Sequence, residues 1–388
     1  MLLGIDQIST LLRQKLKGKK IGILCHTASV NSKLVHLINL LAPHPSPLTR
    51  LFSPEHGLWG IAQDMESVTE EKEPKTGLPI HSLYGPTSES LKPRKEWLKG
   101  LDAIVCDLQD VGSRYYTFVY TISLMMQAYK EVGIPIYVLD RPNPINGTDV
   151  EGGVIQKGFE SFVGFYPIAN RHGMTMGELV WMFNEAFEIW ADLTVVKMKG
   201  WKRKQYFDET KLPWVLPSPN MPTPETALVY PGMCLIEATE ISEGRGTTRP
   251  FEICGAPYIN PNRLVERQNE FRLPGVVFRP LYFKPTFQKF AGEVCGGIQI
   301  HVIDRKRFKP YLTGLAVLKA IHDLYPNDFR WRKKPYEFVS EISAIDLLTG
   351  SAQFRKSLEA GKPWKEIKEN YEEGKSLFLK LRKEFLLY

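Results

Sequence analysis

What this 388-residue sequence lacks narrows its function before any motif is read. Its five cysteines (Cys25, Cys106, Cys234, Cys254 and Cys295) are odd in number and none forms a CxxC pair. That excludes a disulfide scaffold and argues against a zinc or redox motif. Cys25 and Cys106 lie inside apolar runs and read as buried filler. No apolar run is long enough to span a bilayer, and the Thr117–Ala128 stretch is short and interrupted, so no membrane insertion is expected. The 50 basic and 43 acidic residues leave a net charge of +7, with no long basic block. A nucleic-acid groove would need clustered Lys and Arg, so no nucleic-acid partner is expected. The eight histidines show neither HxxxH nor HExxH spacing, and no metal is expected. Met1–Asp6 has no basic n-region, continuous apolar region or small-residue cleavage site, and the expected location is cytoplasmic.

One further absence concerns cofactors. The turn after the first strand, His26–Asn31, contains no glycine, whereas a dinucleotide-binding sheet needs GxGxxG there so that pyrophosphate can approach bare backbone. No GxxxxGK[ST] loop occurs either. Both the nicotinamide and the nucleotide-hydrolase readings lose their main support, and no cofactor is expected.

What is present is a globular composition, 43% hydrophobic and 24% charged, with length for two or three domains. Short apolar runs at Lys20–Cys25, Thr49–Ser53, Asp102–Leu108, Ile134–Asp140 and Leu193–Met198 read as strands. Helical signals alternate with them: Leu34–Leu41, Thr117–Val132, and Met176–Trp190 opened by the capping box Thr175-Met-Gly-Glu178. This alternation predicts an α/β fold with a doubly wound parallel sheet. Pro213, Pro217, Pro219, Pro222 and Pro224 then form a loop that neither helix nor central strand tolerates. Thr223-Pro224 reads as an N-cap with proline at the first helical position, starting a helix toward Tyr230. Strands at Val276–Phe283 and Gly297–Asp304 and helices near Leu312–Leu324 and Trp364–Leu387 predict a second, smaller α+β domain. The expected division is 1–226 and 227–388.

Ligands of open parallel sheets bind beyond the carboxyl ends of the strands. Polar groups follow the first four predicted strands: His26 to Ser29, then Glu55 and His56, then Asp110, Arg114, Tyr115 and Tyr116, then Asp140, Arg141, Asn143 and Glu151. Glu55, Asp110, Asp140 and Glu151 could supply the acid and the base or nucleophile of glycosidic cleavage. Asp107 and Asp140 fit capping or arginine pairing better. Glu55 is best placed, between Pro54 and His56-Gly57 with no local basic partner. Arg114, Arg141, Arg171, Arg245 and Arg249 sit in Gly/Pro-rich loops and point to an anionic substrate. The loop Ser242–Phe251, with Glu243, Arg245 and Arg249, has no apolar periodicity and fits a flap from the second domain onto the site. His56 and His172 are further candidate substrate contacts.

Phe52-Ser-Pro-Glu-His-Gly57, Asp107-Leu-Gln-Asp-Val-Gly-Ser-Arg-Tyr-Tyr116, Leu139-Asp-Arg-Pro-Asn-Pro144 and Arg171-His-Gly-Met-Thr175 occur in this order. Pro217-Ser-Pro-Asn-Met-Pro222, Glu243-Gly-Arg-Gly-Thr247 and Pro250-Phe-Glu252 follow. On these motifs the chain, from about Gly4 to Tyr388, resembles the NamZ-type exo-β-N-acetylmuramidases, formerly DUF1343. The resemblance implies a Rossmann-like first domain, a smaller second domain and a cleft between them. It implies hydrolysis of N-acetylmuramic acid from the non-reducing ends of peptidoglycan fragments, with no nucleotide, in cell-wall turnover and recycling. It also implies that Glu55 is the principal catalytic carboxylate, with Asp110, Glu151 and Glu243 open as partners and a substrate-assisted route available. Candidate sugar contacts are His26, His56, Arg114, Tyr116, Arg141, Asn143, Arg171, His172, Asn220 and Arg245. The chain departs from the family pattern at Cys25-His26, where Thr-Asn is usual, and at Ile61, where Asp is usual. A non-catalytic binder of wall sugars and an NAD-dependent oxidoreductase are the alternative readings.

Overall fold

The computed structural model describes residues 1–43 and 48–388. Seven strands form the larger sheet: β1 (Ile21–Cys25), β2 (Leu48–Ser53), β3 (Glu71–Lys72), β4 (Pro79–Ser82), β5 (Ala103–Asp107), β6 (Ile136–Leu139) and β7 (Leu193–Val196). Their order is β3-β4-β2-β1-β5-β6-β7, and every pairing is parallel except that of β3 with β4. Strand order reverses at β1, which pairs with both β2 and β5, so the sheet is doubly wound as expected. Every residue of β1 and β5 is buried, because central parallel strands are covered on both faces. Alternate residues serve different cores. Ile23 and Val105 pack with Ile5, Leu12 and Leu37 on one side, while Leu24 and Cys106 pack with Phe118, Ile122 and Leu179 on the other. The sequence reading missed β3 and β4, which are short and carry no apolar alternation.

The second sheet is antiparallel, with β8 (Ile253–Ala256), β9 (Val276–Phe283) and β10 (Cys295–Val302) in the order β8-β10-β9. Here β8 was missed and β10 begins two residues before the predicted Gly297. The helix Pro261–Glu270 packs on β9 and β10, the helix Pro310–Leu324 packs on that helix, and the first core runs on through Leu264, Ile298 and Leu315. The helix Pro224–Met233 starts as predicted, with Thr223 accepting from the Thr226 N–H. It crosses Pro310–Leu324 at Gly232 and Gly314, where a Cβ on Gly232 would overlap the Pro310 carbonyl oxygen.

Three helices differ from expectation for local reasons. The first forms only at Leu37–Leu41, since Leu34 is left-handed at φ 60° and the His36 ring caps the Ile38 N–H. The capping-box helix ends at Ala186, not Trp190: Glu188 and Trp190 are left-handed, and the Asn184 side chain accepts from the Ala191 N–H. The C-terminal helix is two, Trp364–Asn370 and Lys375–Lys383, broken where Gly374 takes φ 79°. Among the described residues, no helix is long and apolar enough to cross a membrane.

Candidate active site

A cavity of about 500 Å³ opens where the loops after β2 and β5 meet the second half of the chain. Glu55, His56 and Asp64 line it from the β2 loop, and Tyr115, Tyr116 and Thr117 from the β5 loop. Ser218 and Asn220 reach it from the proline-rich segment. The opposite wall is Tyr230, Glu237, Arg245, Phe251, Tyr336 and Glu337. A wider cleft of about 1770 Å³ lies elsewhere, and two of the four acids that line it are paired with arginines, Glu252 with Arg249 at 3.0 Å and Asp208 with Arg305 at 2.7 Å.

Glu55 is fixed by its neighbours. Pro54 precedes it, and His56 after it turns left-handed at φ 70°, its Nδ1 held 2.9 Å from the Ala62 carbonyl. Glu55 Oε2 accepts from the Thr117 hydroxyl at 2.8 Å, and Oε1 from the Met65 N–H at 3.4 Å. The side chain is buried, and among the described residues no ion pair reaches it. A buried carboxylate held by neutral donors, facing a cavity, is available for chemistry in a way that an ion-paired one is not.

The glycine-rich loop does reach this site. Arg245 Nη1 lies 2.7 Å from Glu237 Oε1 and 3.0 Å from Glu243 Oε1, and its Nε is 3.3 Å from Asp64 Oδ1. Its guanidinium also covers the Phe251 ring, 4.8 Å from the centroid. Burial by itself would raise the Glu243 carboxyl, but Lys289 at 2.8 Å and Arg245 override it and hold its pKa at about 2. Glu243 is thus a fixed counter-ion beside the cavity. Glu237 is pushed up by burial, with Arg245 opposing, and accepts from the Tyr336 hydroxyl at 2.6 Å. Glu337, which the sequence reading did not single out, accepts from the Tyr84 hydroxyl at 3.0 Å. The run Tyr336-Glu-Phe-Val339 holds no turn residue and no glycine, so nothing local marked it.

Of the residues expected at the site, Glu55, His56, Tyr116, Asn220 and Arg245 converge on this cavity. The others are placed elsewhere. The buried His26 ring braces two loops, with Nδ1 3.2 Å from the Pro217 carbonyl and Nε2 accepting from the Gln109 N–H at 3.0 Å. Burial, reinforced by Arg141, lowers its pKa well below the usual range. Arg141 grips Asp107 through two bonds of 2.6 and 2.7 Å. Arg114 donates to the carbonyls of Gly153, Ile168 and Leu348 at 2.8, 3.0 and 2.6 Å. Arg171 donates to the Ile145 carbonyl and lies 3.2 Å from Asp149. Asn143 bridges the Met174 carbonyl and the Ile145 N–H. Asp110 accepts from the Gly112 N–H at 2.6 Å and lies 3.3 Å from His172 Nε2. Glu151 accepts from the Leu312 N–H at 2.8 Å, in the first turn of the helix Pro310–Leu324. Ile61 is exposed.

A doubly wound α/β sheet joined to a smaller antiparallel unit, with a buried carboxylate that no ion pair among the described residues reaches, facing a polar cavity, has the build of a glycosidase. The chain belongs to the NamZ exo-β-N-acetylmuramidase family: residues 21–225 match its N-terminal region and 228–388 its C-terminal region. It is 49% identical over 386 residues to the peptidoglycan β-N-acetylmuramidase NamZ of Bacillus subtilis (strain 168), covering 99% of this chain and 91% of that protein. Two crystal structures of DUF1343 family proteins from Bacteroides fragilis superpose along its whole length. One has a TM-score of 0.88 at 32% identity and the other 0.77 at 30%, each covering 100% of this chain and 98% of the other.

Proposed function

We propose that this chain is an exo-acting β-N-acetylmuramidase, a hydrolase that releases N-acetylmuramic acid from the non-reducing ends of peptidoglycan fragments in wall turnover and recycling. The observation that carries this reading is Glu55, buried without an ionic partner among the described residues and facing a polar cavity, in a chain 49% identical to a muramidase. Glu55 is its principal catalytic carboxylate. His56, Tyr116, Asn220 and Arg245 are its sugar contacts, and Arg245, which lines the cavity, is its partner for the lactyl carboxylate. Asp110, Glu151 and Glu243 are left out of bond cleavage in this reading, because none of the three lines the cavity that holds Glu55. The chain divides at 226/227, and both parts wall the cavity. It acts in the cytoplasm, which suits five unpaired cysteines; recovery only from an exported fraction would overturn that.

The test is chromophore release from the 4-nitrophenyl β-glycosides of N-acetylmuramic acid and N-acetylglucosamine, side by side without cofactors. Turnover of the muramic compound alone is expected. Turnover of neither by folded protein would favour a non-catalytic sugar binder. In the Glu55→Gln variant, turnover should fall by about 10²–10⁴-fold while binding persists. Unchanged turnover would mean that another carboxylate does the chemistry.

A further inference from the structure

Glu337 lines the same cavity as Glu55 but comes from nearly three hundred residues later in the chain. It sits at the tip of a two-residue hairpin, in which Tyr336 and Val339 exchange backbone hydrogen bonds of 2.9 and 3.0 Å. Both residues between them are left-handed, Glu337 at φ 46° and Phe338 at φ 67°. Turns of this kind ordinarily use Asn-Gly, because a bulky side chain is strained there. Strain at a cavity wall persists where the surrounding structure enforces it, and it marks a side chain whose position matters. Here the enforcement is visible. The Tyr84 hydroxyl donates to Glu337 Oε2 at 3.0 Å, and the Phe338 ring packs 5.5 Å from the Tyr84 ring.

We infer that Glu337 is the second catalytic carboxyl, the proton donor to the departing sugar oxygen, acting with Glu55 in one cavity. The inference rests on the muramidase reading of that cavity. The charges around Glu337 suit the role. Burial, and next the Glu55 carboxylate, push the Glu337 carboxyl well above its usual range; Glu237 and Asp64 act in the same direction, and the Tyr84 hydroxyl opposes. Arg245 and His56 line the same cavity, and Arg245 is already engaged by Glu237 and Glu243. A proton-holding acid beside an acceptor carboxylate is the division of labour that glycoside hydrolysis requires.

In the step itself, the bond between C1 of the terminal sugar and the bridging oxygen breaks. Its electron pair stays on that oxygen, which takes the Glu337 proton and leaves as a hydroxyl. Water adds its oxygen to C1 and gives its proton to Glu55, and return of that proton to Glu337 restores both groups. One water is consumed.

The experiment is Glu337→Gln assayed on two substrates that differ in their leaving group. Nitrophenolate departs without a proton, whereas the sugar alkoxide of N-acetylmuramyl-β-1,4-N-acetylglucosamine needs one. The disaccharide rate should fall by about 10²–10⁴-fold and the nitrophenyl glycoside rate by less than about tenfold, with the alkaline limb of the disaccharide pH profile lost. Equal losses on both substrates, or no loss on either, would overturn the assignment. An unmodified protein inactive on both substrates would instead overturn the muramidase reading beneath it. Should Glu337→Gln fail to fold, Tyr84→Phe decides. Losing the hydroxyl that holds the carboxyl down should shift the alkaline limb to higher pH, and an unmoved limb would count against Glu337.

Discussion

A guanidinium can bind a ligand only with donors that the fold has not already used. Arg114 has spent three on the carbonyls of Gly153, Ile168 and Leu348, and it is fully buried. Leaving those carbonyls unpaired should destabilise Arg114→Ala by about 3 kcal/mol or more, read from denaturant unfolding. Any activity left should keep its preference for muramic acid over N-acetylglucosamine; a selective loss on the muramic compound would return Arg114 to the binding site. The sequence distinguishes an unpaired acid from a paired one only when the partner is local. Glu55 was legible because its rigid turn holds no base nearby. The Arg141–Asp107 pair joins residues 34 positions apart, and Arg114 reaches a carbonyl 234 positions away, so neither commitment could be read from spacing. Glu337 was hidden for the opposite reason: a strained turn without turn residues has no local signature.

Among elements, the helix Pro310–Leu324 takes one of its first-turn acceptors from Glu151, a residue the sequence offered as a catalytic acid. Its N-cap, Lys309, makes no side-chain cap, and Glu151 supplies an acceptor from another part of the chain. Burial raises the folded carboxyl of Glu151 from 4.5 to about 7, with Leu312 and Arg171 opposing. Between those values the folded protein binds more protons than the unfolded chain, so stability falls as pH rises. Glu151→Gln keeps the acceptor and removes the titration. The variant should therefore gain on the unmodified protein by roughly 3 kcal/mol between pH 4.5 and about 7, and by no more above it. Unfolding curves at pH 5 and pH 8 check this, and a constant difference between the two proteins would contradict it. Elements with strong local signals were readable: the capping box Thr175–Glu178 forms with both bonds, and the buried runs became β1, β5 and β6. Those set by distant pairing were not. Two-residue β3 pairs with β4, and β8 is set between β10 and a bridge from Gly255 to Ser242.

At the scale of the molecule, the cavity belongs to neither half alone. One continuous core joins Leu24 and Phe118 of the large sheet layer to Ile236, Ile298 and Leu315 of the second, so the two walls are packed as a unit. That explains how Glu55, after β2, and Glu337, near the C-terminal helices, come to share one chamber. The doubly wound class followed from alternating strand and helix signals, yet the chamber depends on contacts between halves that no periodicity encodes. Residues of both halves, Glu55, Tyr116 and Asn220 from the first and Arg245, Tyr336 and Glu337 from the second, wall the cavity on several sides, which suits one terminal sugar and end-wise cleavage.

The most direct measurement is therefore product analysis over time on an oligosaccharide of alternating sugars with N-acetylmuramic acid at its non-reducing end. The account predicts free N-acetylmuramic acid as the first and sole early product, beside a chain shorter by one sugar. Internal fragments, or early release of N-acetylglucosamine, would contradict it.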